Sequence, residues 1–267
     1  FGTSLPEAAV SITASLQGSN EIAIGNIIGS NMFNTLVVLG ASALFAPVAV
    51  KGNILKRDFP FCIGITAVMI VLLMTLNHGD IALTRLDGII LLALFAVFMV
   101  GSVVMGKKES KLIESADDSE KADLPMWKCL LFIIIGFVGV VVGGQLTVKG
   151  AKELALMAGM SERVVGLTVV AIGTSLPELV TSIVAARKQQ NDIAVGSNIF
   201  NLLFILGISA TIGKIGTDFN VVIDGCVLIG ICLFTYIFAL ANKKINRPCG
   251  VVMIFMYVAY TVYLLVR

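Results

Sequence analysis

One six-residue sequence, Gly-Thr-Ser-Leu-Pro-Glu, occurs twice in this chain, at residues 2–7 and 173–178. Each copy lies in an apolar stretch, and crossing a bilayer takes roughly 20 such residues. Each copy also sets a proline, which lacks a backbone N–H, beside a carboxylate. A charge at the centre of a spanning helix costs about 2.5–3.5 kcal/mol on insertion scales and marks an ion or proton site by default. Two such sites in corresponding positions indicate a transporter whose substrate lies between two repeats.

Composition places the chain in a membrane. Of its 267 residues, 57% are hydrophobic and only 13% are charged, with a mean hydropathy of +0.98. Soluble domains carry about 25% charged residues, so lipid is expected to cover most of this surface. The net charge of +2 gives no basic face for nucleic acid, and no obligate protein partner is evident. The five cysteines form no Cys-x-x-Cys motif and are interpreted as packing residues.

The apolar segments predict an all-α polytopic membrane protein built as an inverted repeat. The nine predicted spans are 1–18, 21–46, 59–77, 84–104, 127–148, 161–187, 192–213, 221–241 and 248–266. Pairing them by the two hexapeptides leaves 127–148 without a counterpart, so a tenth span is expected upstream of Phe1. Five spans per repeat would give the halves opposite orientations. The predicted units are a first repeat at 1–104, a polar linker at 105–126 and a second repeat at 127–267.

The basic residues predict the orientation, because cytoplasmic loops carry an excess of Lys and Arg. Thirteen of the 19 basic residues fall on the side of the 105–126 linker and six on the other side. The linker is therefore predicted to be cytoplasmic and the C-terminus to lie outside, with the plasma (inner) membrane as the expected location.

The polar residues near each hexapeptide are of the kind that bind hard cations. Carboxylate, hydroxyl and freed backbone carbonyl oxygens suit Na⁺ or Ca²⁺, whereas softer metals favour His or Cys. A single copy could instead be a kinked helix whose Glu reaches the interface, with small residues present for close helix packing. The second copy favours the cation site. Asn31 and Asn198 are either ligands or partners in interhelical hydrogen bonds.

Two further segments, Gly-Ser-Asn-Met-Phe-Asn at 29–34 and Gly-Ser-Asn-Ile-Phe-Asn at 196–201, follow the hexapeptides. Together the four segments resemble the two alpha-repeats of the sodium/calcium exchanger family. Proton-coupled calcium relatives usually carry Gly-Asn before the repeat's Glu, so Thr3 and Thr174 favour the sodium-coupled branch.

The resemblance implies a set of ion ligands. Glu7 and Glu178 would form the central calcium site. The flanking sodium sites would use Thr3, Ser4, Ser30, Thr174, Ser175, Ser197 and the carbonyl of Ala171. Asn34 and Asn201 would occupy the remaining corners. The resemblance implies no cofactor beyond the transported Ca²⁺ and Na⁺, with K⁺ as a further candidate ion.

The expected function is secondary antiport of Na⁺ against Ca²⁺ by alternating access around the two glutamates. A proton-coupled calcium exchanger is the nearest alternative, and a passive cation channel is a second one. An enzyme is not expected, because no His-Glu-x-x-His, Gly-x-Ser-x-Gly or paired aspartate motif occurs.

The two repeats differ in length between the glutamate and the second segment. Asn26-Ile27-Ile28-Gly29 has no counterpart after Gly196. Four residues are about one helical turn, or roughly 6 Å of rise. Ser197 and Asn201 are thus expected at a different depth from Ser30 and Asn34, unless the connection near Asn191 compensates.

Overall fold

The computed structural model describes residues 2–50, 52–75, 80–113, 126–187 and 193–266, most of which are helical. Six helical segments in these ranges are long and apolar enough to cross a membrane, and one pair of helices bent by 45° makes a seventh candidate. The predicted helical membrane architecture is confirmed. Nine spans remain a prediction, because the first helix has only 12 residues, too few to cross a bilayer unaided.

Within the described residues, the first half contains five α-helices. They are α1 (Leu5–Leu16), α2 (Asn20–Phe33), α3 (Leu39–Phe45), α4 (Phe59–Thr75) and α5 (Arg85–Ile113). The second half contains eight, several of them short. They are α6 (Met126–Ala158), α7 (Glu162–Val165), α8 (Ala171–Thr174), α9 (Leu176–Arg187), α10 (Ile193–Phe200), α11 (Leu206–Ile212), α12 (Phe219–Asn242) and α13 (Arg247–Val266).

Four π-helical turns connect some of these helices without a break in the chain's helical course. They are Asn34–Val38, Ile54–Asp58, Gly166–Val170 and Asn201–Ile205. Two of them begin at the final asparagine of the repeated Gly-Ser-Asn segments. Such wide turns occur frequently at functional sites, and here they occupy equivalent positions in the two halves.

Two short antiparallel ladders join one half of the chain to the other. Strand β1 (Val48–Ala49) pairs with β4 (Lys244–Ile245), with Val48 opposite Ile245. Strand β2 (Ala82–Leu83) pairs with β3 (Ile215–Gly216), with Leu83 opposite Ile215. Each ladder therefore ties a connection in one repeat to a connection in the other.

Helix α2 lies at the centre of the molecule. Every residue from Ile22 to Phe33 is buried, which fits a helix that is apolar on all sides apart from a few amides and a serine. It crosses the π-helical turn Gly166–Val170 so closely that a Cβ on Gly29 would lie 2.5 Å from the carbonyl oxygen of Leu167. This crossing brings the polar residues of α2 against the second hexapeptide.

Candidate cation site

The two hexapeptides adopt the same local structure. In each, a helix begins at the leucine, α1 at Leu5 and α9 at Leu176, and the proline follows as its second residue. Proline is tolerated there because the first turn has no intrahelical acceptor for its missing N–H. The Ser4 hydroxyl does not cap α1. It is therefore free to bond elsewhere.

The serine of each hexapeptide donates to the glutamate of the other. Ser4 Oγ lies 2.9 Å from Glu178 Oε1, and Ser175 Oγ lies 2.8 Å from Glu7 Oε1. The threonines lie near the opposite glutamates as well, Thr3 near Glu178 and Thr174 near Glu7. The antiparallel relation of the two halves thus brings both motifs into one cluster.

Both carboxylates are buried, and one oxygen of each has no hydrogen-bond partner among the described residues. Glu7 and Glu178 are 0% exposed, and the Oε2 atom of each accepts no hydrogen bond from the described residues. The ion pairs found among those residues involve other side chains. An isolated carboxylate in an apolar interior is very costly when ionised. The pair is consequently a strong candidate to hold a cation between the repeats.

Neutral oxygens surround the Glu7 side of this cluster. Thr174 Oγ1 lies 3.0 Å from Asn26 Oδ1, 3.3 Å from the carbonyl oxygen of Ala171 and 3.4 Å from Ser30 Oγ. Because a hydroxyl carries lone pairs as well as a proton, such a group can turn to bind a cation. The structure therefore adds hydroxyl, amide and carbonyl oxygens to the two carboxylates.

Asn26 lies in the cluster, although the ligand set implied by the resemblance did not include it. Its Nδ2 donates to Ser11 Oγ at 2.9 Å and to the backbone oxygen of Glu7 at 3.3 Å. Both amide donors are thereby used, and its Oδ1 points to Thr174. The sequence feature that could have indicated a role for Asn26 is its place in Asn26-Ile27-Ile28-Gly29, the four residues without a counterpart in the second repeat. The resemblance implied ligands at other positions and gave this one no role.

Asn34, Ser197 and Asn201 do not bond to either glutamate. Asn201 Nδ2 donates to Asn31 Oδ1 at 3.0 Å, while both polar atoms of the buried Asn34 side chain lack a partner among the described residues. Ser197 is buried as well. Hydrogen bonds link one or other glutamate, directly or through Asn26, to Ser4, Ser30, Thr174, Ser175 and the carbonyl of Ala171, and leave these three residues outside that group.

Asn31 and Asn198 form a second polar contact between the repeats. Asn31 Nδ2 donates to the backbone oxygen of Asn198 at 3.2 Å, and Asn198 Nδ2 lies 3.4 Å from that of Asn31. The reciprocal bonds match the second of the two interpretations left open for these residues, interhelical hydrogen bonding. They join α2 to α10 where the two helices meet.

Comparison with known proteins identifies close relatives over most of the chain. The family described as sodium/calcium exchanger protein matches residues 1–104 and 128–266. A putative antiporter, CaxA of Alkalimonas amylolytica, is 36% identical over 97% of this chain and 83% of its own length. The sodium/calcium exchanger MaX1 of Methanosarcina acetivorans is 29% identical over 99% of this chain and 86% of its own.

A solved structure shares the fold. The sodium-calcium exchanger NCX_Mj, soaked with zero Na⁺ and Ca²⁺, superposes with a TM-score of 0.69 at 32% sequence identity. The match covers 98% of this chain and 83% of that one. The resemblance that the repeated motifs carry therefore extends to the three-dimensional arrangement.

Proposed function

Because the chain belongs to the sodium/calcium exchanger protein family, we propose that it is a secondary antiporter that exchanges Na⁺ for Ca²⁺ across a membrane. One observation carries the proposal: two fully buried carboxylates from opposite repeats, each bonded by the other repeat's serine. Such an arrangement supplies two negative charges at the repeat interface.

Charge balance explains why the two ions would compete. Glu7 and Glu178 together neutralise one Ca²⁺ or two Na⁺, and only a neutral site crosses an apolar barrier cheaply. The hydroxyls of Ser4, Ser175 and Thr174 donate to carboxylate or amide oxygens. On binding they would turn their lone pairs toward the ion, giving the all-oxygen shell that Ca²⁺ prefers.

Exchange would follow from alternating access around this fixed site. In inverted-repeat transporters, one part of the molecule moves against another while the site stays at the interface. The proposal requires that the same carboxylates hold either ion and that the empty, doubly charged site does not cross. It needs only the chain's own oxygens and the two ions.

The proposed ligands are the residues of the hydrogen-bonded cluster, with Asn26 added to them. Asn34, Ser197 and Asn201 are proposed to support the site through the contact between α2 and α10.

We further propose that the repeats at 1–104 and 127–267 lie in opposite orientations in the plasma membrane, with the linker in the cytoplasm. The C-terminus would then lie outside. A fluorescent protein that folds only in the cytoplasm should therefore give no fluorescence when it is fused there.

Replacing Glu178 by Gln tests the central claim, because the change removes one charge while keeping the side chain's shape. We expect Glu178→Gln to abolish ⁴⁵Ca²⁺ uptake driven by a Na⁺ gradient in proteoliposomes. Glu153→Gln, at an exposed position of α6, is the matched control and should transport normally.

Two results would contradict the proposal. Normal uptake in folded Glu178→Gln would remove that residue from the site. Uptake by the unchanged protein that follows a pH gradient and ignores a Na⁺ gradient would assign the chain to the proton-coupled exchangers instead.

A further inference from the structure

A small cavity lies apart from the glutamates, where α4 and α12 pack against the contact between α2 and α10. Its polar lining comes from Thr35, Cys62, Asn198 and Cys232. Its apolar walls are Leu39, Phe59 and Val195. The hydrogen bonds of the four polar residues run among themselves, to Asn31 and within their own helices, and none reaches Glu7 or Glu178.

Two thiols from different helices meet in this cavity. Cys62 on α4 and Cys232 on α12 are each 2% exposed. Both side chains line the cavity together with Thr35, and the two thiols lie near each other. Two adjacent sulfur atoms supply the ligand type that selects thiophilic metals over Na⁺ and Ca²⁺.

The amide of Asn198 supplies an oxygen beside the thiols. Its Nδ2 donates to Thr35 Oγ1 at 2.8 Å and lies 3.4 Å from the backbone oxygen of Asn31. The side chain is therefore held in place. Its Oδ1 is buried and accepts no hydrogen bond from the described residues, although a buried acceptor without a partner costs about 1–3 kcal/mol.

We propose that this cavity binds one thiophilic divalent cation of the Zn²⁺ and Cd²⁺ class. The ligands are the sulfur atoms of Cys62 and Cys232 and the Oδ1 of Asn198, with the Thr35 hydroxyl at the fourth position of a tetrahedron. Each thiol loses its proton on binding, so one ion displaces two protons. The two resulting thiolates neutralise the ion's charge within the apolar interior.

The donor set distinguishes this site from the exchange site. Among the described residues there is no group of three or more His, Cys, Asp or Glu, so a metal here relies on two thiolates and neutral oxygens. The carboxylate cluster offers oxygen alone and favours hard cations. Saturating Ca²⁺ should consequently block Cd²⁺ at the glutamates and leave the thiol site open.

The experiment uses the full chain in detergent with Cys129, Cys226 and Cys249 replaced by Ala. Titration with Cd²⁺ in saturating Ca²⁺ should produce the ultraviolet absorption of cadmium–thiolate bonds, saturating at one Cd²⁺ per chain with two protons released. Adding Cys62→Ser or Cys232→Ser should abolish that absorption. The parent variant is first shown by gel filtration to elute as a folded protein.

Absence of thiolate absorption in the folded parent variant would overturn the site, as would equal absorption after Cys62→Ser. Because the measurement reads metal–sulfur bonds directly, it is independent of whether the glutamates exchange Na⁺ for Ca²⁺.

Discussion

The two repeats share a hexapeptide but surround it differently. In the first repeat, Ser11 accepts a hydrogen bond from Asn26, whose side chain also reaches the backbone of Glu7 and Thr174. In the second repeat, the equivalent Ser182 is buried with its hydroxyl unpartnered among the described residues. From Glu7 to Asn34 the first repeat spans 27 positions, whereas the second spans 23 from Glu178 to Asn201.

The two repeats contribute equal charge to the site but unequal numbers of neutral oxygen ligands. Each repeat contributes one carboxylate and one serine that crosses to the other repeat, so charge is divided equally. The amide at Asn26 belongs to the first repeat alone, because the second repeat lacks the four residues that would carry its partner. The site is thus symmetric in charge and asymmetric in its neutral oxygens.

The largest effect is expected from Asn26→Ala, which removes the group that makes the halves unequal. Three buried partners would each lose a hydrogen bond worth about 1 kcal/mol. Sodium-driven ⁴⁵Ca²⁺ uptake should therefore fall about 100-fold, the equivalent of about 2.7 kcal/mol. The control is Asn242→Ala, since Asn242 is an exposed amide at the end of α12. Uptake that matches this control would mean that the asymmetry has no role in transport.

A pair of glycine substitutions tests whether the asymmetry extends to packing. A Cβ on Gly29, the first residue of its Gly-Ser-Asn-Met-Phe-Asn segment, would meet Leu167 O at 2.5 Å and Ala171 Cβ at 2.7 Å. A Cβ on Gly196, which opens the Gly-Ser-Asn-Ile-Phe-Asn segment, would meet nothing within 4 Å. Gly29→Ala should cost about 2 kcal/mol through overpacking. Gly196→Ala should raise stability by up to about 1 kcal/mol, because alanine favours a helix interior. Unfolding in denaturant measures both, and equal shifts would show that the two crossings are packed alike.

The smallest effect is expected at the paired serines. Ser11→Ala removes the acceptor of an Asn26 N–H and should lower the free energy of unfolding by about 1 kcal/mol. Ser182→Ala removes a hydroxyl without a described partner, so stability should change by less than about 0.5 kcal/mol. The same denaturation series compares them. A larger loss of unfolding free energy for Ser182→Ala would show that its hydroxyl has a hydrogen-bond partner, and that the two serines are equivalent.

The sequence predicted the chemistry of the site better than its geometry. The repeated motif identified both glutamates and their neighbouring hydroxyls, because proline and carboxylate together are unusual at membrane depth. It could not show that Ser4 would bond to Glu178 instead of Glu7, since that depends on how two helix starts meet in space. Asn26 was given no ligand role, because the resemblance implied none for a residue that occurs in one repeat only. The membrane fold and the family were confirmed, while the ligand roles of individual residues stay predictions.

The reciprocal bonds between serines and glutamates also set an order for assembly. Ser4 and Glu178 are 174 residues apart, and Ser175 and Glu7 are 168 residues apart. At about 5–20 residues per second of synthesis, Ser175 leaves the ribosome roughly 10–30 s after Glu7. Neither half can satisfy its own carboxylate during that interval. A newly made first repeat should therefore remain loosely docked in the membrane until the second arrives, and the chain should reach its native form only after translation is nearly finished.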